Sequence, residues 1–388
     1  MSSFEVLIER VAKVEQHPNA DRLDLVQIRG YKCISAKKSD GTPRYTEGDL
    51  VVYIPEDSIV PEEMLRCGFW DETQDKGILA GTNGDRVKAI KLRGALSQGI
   101  LYSVNPYEGY DEGAHYVLSE RFPDEEFPVG RNVAELLGIT KFIPEIPAEL
   151  LGDVTYIGSN VLKFDVENIK KYPDVMVGHD VVMEEKLHGI CVIFGYVPGL
   201  DNPDLFDVNG KHDFFVTSKG LGAQGMVFTN SQDNIDSSVY VKAFIDNQIA
   251  FKLMEFSKDN ADSPVYLVGE IYGKGVQDLA YGLEDKKLSI FGAFVGTPQE
   301  GMWLDPENKY ALLEALQIPG TPLLYKGEFS QEKLDEFTNG KSALDGKTIR
   351  EGVVVTPLIG FDDMSIGRAI LKSVSEAYLL RKGGTEYQ

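Results

Sequence analysis

Residues 181–197 read VVMEEKLHGICVIFGYV, a β-branched and aromatic run broken in its middle by two glutamates, a lysine and a histidine. Apolar residues on both sides call for burial, but a charge taken out of water costs several kcal/mol unless it is paired or used. The pattern is a strand, HDVVMEEK, that runs into a tight turn, LHG, and the next strand back, ICVIFGYV. Gly189 would permit a backbone angle closed to other residues, making the turn sharp. Lys186 then stands on a rigid element where a sheet edge opens into a cleft. An amine held there becomes a nucleophile when desolvation or a neighbouring cation lowers its pKa. For an isolated Lys-x-x-Gly, an exposed hairpin lysine is the ordinary explanation.

A chain of 388 residues exceeds what one hydrophobic core usually supports, so two domains are expected. The formal charge of −22 opposes generic binding to polyanions and demands local basic patches of any nucleic-acid partner. RVKAIKLR, with Arg86, Lys88, Lys91 and Arg93, is such a patch. The three cysteines, Cys33, Cys67 and Cys191, are too scattered for a disulfide framework or a zinc site, which suits a reducing, cytoplasmic location. No leader is expected from MSSFEVLIERVAK, and no apolar run of about 18 residues announces a membrane span.

Short β-rich runs bounded by HPNAD, KSDGTP and GTNGD fill residues 1–130 and suggest a small barrel. A Pro-rich, acidic stretch follows, with one short helical piece, VAELLGI, and residues 131–161 read as a linker. Beyond 162, strands interleave with helices without a regular βαβ period, so the class is α+β. Helices are expected over 237–258, over 305–318 with Asp305 as cap and Pro306 at the first position, and over QEKLDEFT up to Asn339-Gly340. GLGAQG (220–225) matches a dinucleotide fingerprint but lacks the strand-to-helix context, and reads as a flexible loop. His17, His115, His179 and His212 lack metal-like spacing.

Six short segments in order resemble the motifs of the covalent nucleotidyltransferases, the superfamily of ATP-grasping ligases and capping enzymes. They are Lys186-Leu-His188-Gly189, Ser218-Lys219 in FFVTSKG, Glu270 in LVGEIYGKG, Phe291 in LSIFGAF, Glu351 in REGVVV and Lys372 in AILKSVSEAYL. Within that superfamily, HPNADRLDL, RVKAIKLRGALSQGIL and EIYGKGVQDLAYG are similar to the Deinococcus- and Naegleria-type RNA ligases. The resemblance implies an N-terminal OB-fold β-barrel (1–130) and a mainly antiparallel nucleotidyltransferase domain with flanking helices (162–388).

It also implies ATP and Mg²⁺, with Mn²⁺ as substitute, RNA as partner at nicks or broken ends, a monomer, and three phosphoryl transfers through a lysyl-AMP. Lys186 would be the nucleophile and Lys372 the cation that stabilises developing charge and keeps Lys186 unprotonated. Glu351 and Glu270 would hold metal waters. Glu270 would also accept from the ribose hydroxyls, Phe291 would stack on adenine, and a backbone group near Glu184 or Glu185 would read its amine. Ser218 and Lys219 would lie toward the sugar or phosphate, and Lys163 toward the triphosphate. Many members carry Asp where this chain has His188, which would support either the metal shell or a phosphate. Lys372 stands alone where relatives carry two lysines. The basic strand 86–93 would grip RNA.

Two other readings remain. A DNA ligase or capping guanylyltransferase usually carries a further OB domain after the last motif, and only sixteen residues follow Lys372. An inactive, OB-containing nucleic-acid-binding protein would not need Lys186, Glu270, Glu351 and Lys372 together.

Overall fold

Alternating burial builds the first part of the chain. The computed structural model describes residues 4–107, 115–143 and 152–384. One compact unit comprises Ser2–Ile143 with Ile169–Pro173, the other Pro144–Asn168 with Asp174–Gln388. In the first, strands β1 (Leu7–Arg10), β5 (Leu50–Ile54) and β8 (Ile100–Ser103) form one antiparallel sheet. Strands β2 (Lys13–Gln16), β3 (Leu23–Ile28) and β4 (Tyr31–Ala36) form another. Every second residue of β3 is buried, as period-2 packing on one core face requires. The β3–β4 turn is closed from outside: Gly30 N–H donates to Lys170 O at 3.0 Å, and a Cβ on Gly30 would meet the Lys170 backbone at 2.8 Å. This is why 169–173, expected in the second domain, belongs to the first unit.

A hairpin, β6 (Ile90–Leu92) and β7 (Ala95–Ser97), turns at Arg93-Gly94 with positive φ at both residues. His17 and Asn19 hold its tip, through His17 Nε2 at 3.0 Å from Leu92 O and Asn19 Nδ2 at 3.0 Å from Arg93 O. Asn19 N–H donates to His17 Nδ1, so the imidazole is the Nε2–H tautomer and is fully used inside the fold.

The expected linker is divided. Val133, Ala134, Leu137 and Ile139 pack with Val6 and Ile8 in the first unit's core, while 152–161 belongs to the second unit and 144–151 lies outside the described residues. VAELLGI makes turns rather than a helix, because the five residues before Gly138 have too little length to propagate one.

In the second unit a six-stranded antiparallel sheet has the order β12-β13-β11-β14-β15-β16. Its strands are β11 (Ile190–Tyr196), β12 (Phe206–Val208), β13 (Lys211–Ser218), β14 (Val265–Gly273), β15 (Lys286–Val295) and β16 (Met302–Trp303). A five-stranded sheet, β9-β19-β18-β10-β17, is built from β9 (Glu167–Asn168), β10 (Asp180–Lys186), β17 (Leu323–Glu328), β18 (Gly352–Pro357) and β19 (Leu371–Val374). Only the short β9–β19 pair within it is parallel.

Ile190, Val192, Phe194 and Tyr196 face one core with Leu253 and Phe256, and Ile193 faces another with Phe215 and Tyr266. Burial on both faces explains the unbroken apolar run of ICVIFGYV.

Helix α4 (Pro306–Ala315) starts at Asp305 as expected, and α5 (Gln331–Thr338) ends at Asn339. The helix expected over 237–258 is two, α2 (Val239–Asp246) and α3 (Ile249–Lys258). Gln248 between them is left-handed (φ 51°), a break that apolar spacing does not reveal. The loop expected at 220–225 holds a five-residue helix, α1 (Lys219–Ala223), begun by Ser218. No helix among the described residues is long and apolar enough to cross a membrane.

Candidate active site

β10 and β11 were expected to fold back on each other, yet they join different sheets, so Leu187–Gly189 carries the chain from one sheet to the other. Gly189 has no positive φ, and its small size answers a close approach instead: a Cβ there would meet Ile271 O at 2.2 Å. The Gln277 amide donates to Gly189 O, and the Gly189 backbone amide beside Glu270 favours its charged form. The motif glycine thus presses the Lys186 turn onto β14 beside Glu270.

Lys186 ends β10 opposite Gly352, immediately after Glu351, and its Nζ lies 2.5 Å from Glu351 Oε1. Glu351 is buried, and its Oε2 has no hydrogen-bond partner among the described residues. Lys372 sits opposite Val354 on β19–β18, and Val354 opposite Glu184 on β10. Directly opposed residues share a face, so Glu184, Lys186 and Lys372 project from the same side of the five-stranded sheet.

Glu270 comes from the other sheet, opposite Cys191. Burial pushes its carboxyl up to about 8, with Lys186 opposing and Glu351 adding to the shift. Burial lowers the Lys372 ammonium, and the cations of Lys186 and Lys219 lower it further. Lys186, Lys219 and Glu351 therefore act on both Glu270 and Lys372.

Lys219 opens α1, its Nζ 3.1 Å from Asp165 Oδ1 and 5.5 Å from the Phe164 ring centre. Ser218 Oγ accepts from Leu221 N at 3.2 Å, so this hydroxyl caps α1. Phe291 is the unpaired residue of a β-bulge in β15, between the pairs Gly292↔Val268 and Ile290↔Gly269. A bulge re-aims one side chain, and the Phe291 ring meets Phe164 edge-on at 6.0 Å. Lys163 is exposed.

Both ring nitrogens of His188 are engaged within the fold. Its Nε2 lies 2.8 Å from Asp278 Oδ1 and its Nδ1 2.8 Å from Tyr378 Oη, while its backbone N–H donates to Tyr281 Oη at 2.6 Å. Arg381 pairs with Asp278 at 2.9 Å. Burial lowers the His188 pKa, so the ring is neutral, donates from Nε2 to Asp278 and accepts from Tyr378. Both nitrogens are used in fastening the Lys186 turn to the segment 376–381, which contains α6 (Glu376–Leu379).

Reasoning from sequence gave no role to Asp165 or Arg381, nor to Asp278 and Tyr378, although these two lie within the quoted segments EIYGKGVQDLAYG and AILKSVSEAYL, and it missed Lys309. Lys309 is buried, with Nζ 2.7 and 2.6 Å from the two Glu184 oxygens. Pro306, Lys309 and Leu313 form the buried stripe of α4, so a charged residue at a core position was the available signal.

In the first unit, Arg86 is engaged within the fold. It pairs with Asp57 at 2.5 Å and stacks 3.6 Å above Phe142. Lys88, Lys91 and Arg93 are exposed on and beside the β6–β7 hairpin.

The donor set fits a hydrated divalent cation. Glu351 Oε2 is a buried oxygen with no hydrogen-bond partner among the described residues, 3.9 Å from His188 Nδ1, Glu270 is the second carboxylate, and no cluster of three or more His, Cys, Asp or Glu ligands exists among the described residues. An ion that retains waters and phosphate ligands needs no more than one or two carboxylates.

Comparison with known proteins agrees with this architecture. An OB-fold domain model matches residues 5–104. No curated protein sequence matches. Among solved structures, Naegleria gruberi RNA ligase with pyrophosphate aligns with a TM-score of 0.72 at 21% identity, over 97% of this chain and 98% of that one. A lysine-to-methionine variant of the same ligase with AMP and manganese aligns at 0.73 and 20%, over 97% and 98%. At such identity the likeness speaks for the fold, an α+β chain with an N-terminal OB fold followed by a ligase-type domain. The RNA ligase model matches residues 179–374, about half the chain and every motif from Lys186 to Lys372, and the protein belongs to the RNA ligase family.

Proposed function

We propose that this RNA ligase uses ATP to join 3′-hydroxyl and 5′-phosphate RNA ends at nicks, acting as a monomer in the cytoplasm. The observation that carries the reading is the convergence of Lys186, Lys372, Glu270 and Glu351 from two sheets on one cleft, with Lys186 held 2.5 Å from Glu351. Structures of the Naegleria ligase that hold ATP or AMP with manganese support the choice of nucleotide and ion. The three cysteines are free, which suits a reducing compartment.

Lys186 loses a proton to solvent, favoured by the neighbouring Lys372 cation, and attacks the α-phosphorus of ATP. A P–N bond forms, the α–β P–O bond breaks, and pyrophosphate leaves. Adenylate then passes to an RNA 5′-phosphate, and a 3′-hydroxyl displaces AMP. Such transfers need alignment and charge neutralisation more than covalent help. Lys372 faces the reacting phosphate and Lys219 the sugar–phosphate edge, with Lys163 an outer contact for the triphosphate. Phe291 stacks on adenine, and the backbone at Glu184 meets its edge. Glu351 and Glu270 would hold Mg²⁺ or Mn²⁺, which when bound would neutralise charge on the phosphates. Ser218 and His188 serve by shaping α1 and the Lys186 turn. Lys88, Lys91 and Arg93 meet the RNA backbone.

The test is incubation with labelled ATP or GTP and Mg²⁺, followed by denaturation. An AMP adduct that Lys186→Ala abolishes supports the reading, a GMP adduct shifts it to capping, and no adduct overturns it. Sealing of nicks with RNA or DNA 3′-ends then reports the sugar preference.

A further inference from the structure

The buried ammonium of Lys309 joins the two places where strand pairing in the catalytic unit is irregular. On β10 the register with β17 shifts between Met183 and Glu184. On β15 the register with β14 shifts around Phe291. Lys309 Nζ, rising from α4, lies 2.7 and 2.6 Å from the Glu184 oxygens and 3.2 Å from Phe291 O. Its three donors are thus all used. Thr321 Oγ1 adds a fourth bond, donating to Glu184 Oε1 at 3.0 Å.

Stability alone does not explain this arrangement. A buried ion pair gains little over an apolar pair of the same volume, because both charges lose their hydration. What the pair adds is direction. The carbonyl of a bulged residue is left out of the regular ladder, and an ammonium whose other two donors are committed to Glu184 can satisfy it in only one geometry.

We infer that Lys309 is a positioning residue that sets the adenine slot, fixing the distance between the Glu184 backbone and the Phe291 ring. The inference rests on the reading that adenine stacks on Phe291 against the Glu184 backbone. It assigns to α4 a part in nucleotide selection. Lys309 touches no reacting atom, so its loss weakens and blurs base binding and leaves the phosphoryl chemistry in place.

The experiment measures lysyl-AMP formation in single turnover against ATP concentration, with GTP as competitor, for wild type, Lys309→Met, and Lys309→Met combined with Glu184→Gln. The double variant removes both charges at nearly constant volume, so it keeps the test open where the single variant fails to fold. In the folded double variant the concentration of ATP for half-maximal rate rises about tenfold, the maximal rate stays within about threefold, and discrimination against GTP falls about tenfold. A double variant with wild-type ATP dependence and wild-type discrimination overturns the inference, as does an equal loss of maximal rate with both nucleotides. If wild type itself forms no adduct, the ligase reading fails first and takes this inference with it.

Discussion

Lys186 Nζ and Glu351 Oε1 stand 2.5 Å apart because residue 186 closes β10 exactly opposite residue 352, the first of β18. The nucleophile and its carboxylate partner are set by one strand register. A slip of β18 by one residue would carry Glu351 away from Lys186. Lys186 is partly buried and Glu351 nearly wholly so. Lys186→Met therefore strands a buried carboxylate and lowers thermal stability by about 1–2 kcal/mol. Lys186→Met with Glu351→Gln recovers most of that loss while remaining inactive, as thermal denaturation and adduct formation will show together.

Glu270 makes stability depend on pH in a defined direction. Its ordinary value of 4.5 is raised to about 8 in the fold. Between those values the folded chain holds a proton that the unfolded chain has lost, so this contribution is full below 4.5 and fades as pH rises through 8. In protein freed of divalent ions, wild type loses about 1–3 kcal/mol more than Glu270→Gln between pH 5 and pH 8. Urea unfolding at several pH values checks this, and equal slopes for the two proteins would refute the assignment.

The basic residues of the first unit divide into two kinds. Arg86 is engaged by Asp57 and Phe142, so Arg86→Ala costs about 1–2 kcal/mol of stability and leaves the salt dependence of RNA binding unchanged. Lys88→Ala and Arg93→Ala leave stability alone and each reduce the slope of log affinity against log salt by about 0.7–1. Fluorescence anisotropy over a salt series separates the two behaviours.

Gly189→Ala would place a Cβ 2.2 Å from Ile271 O and 3.0 Å from Glu270 Cγ. The turn must then move off β14, at a cost of about 2–3 kcal/mol. The displaced Lys186 loses adduct formation by at least about a hundredfold. A stable Gly189→Ala protein with wild-type adduct yield would show that the close approach does not matter.

Much of this molecule is legible in its residues. The apolar runs called for burial, Asp305-Pro306 and Asn339-Gly340 marked helix ends, and the ordered motifs matched the RNA ligase family. Local preference and short-range spacing suffice for such features, since each depends on a few neighbouring residues. Other features depended on contacts remote in sequence. That β10 and β11 part into different sheets, that Gly189 serves a close approach rather than a special angle, and that Arg86 is engaged all follow from such contacts.

His188 and Lys309 show the difference most clearly. As single letters, one reads as a metal or phosphate partner and the other as a helix-surface charge. Their partners, Asp278 and Tyr378 in the first case and Glu184 and Phe291 in the second, lie 90 to 190 positions away for the histidine and 18 to 125 for the lysine. Residue type decides which bonds a side chain can make. Only the folded chain, by bringing distant donors and acceptors within 3 Å and excluding water from them, decides which of those bonds it does make.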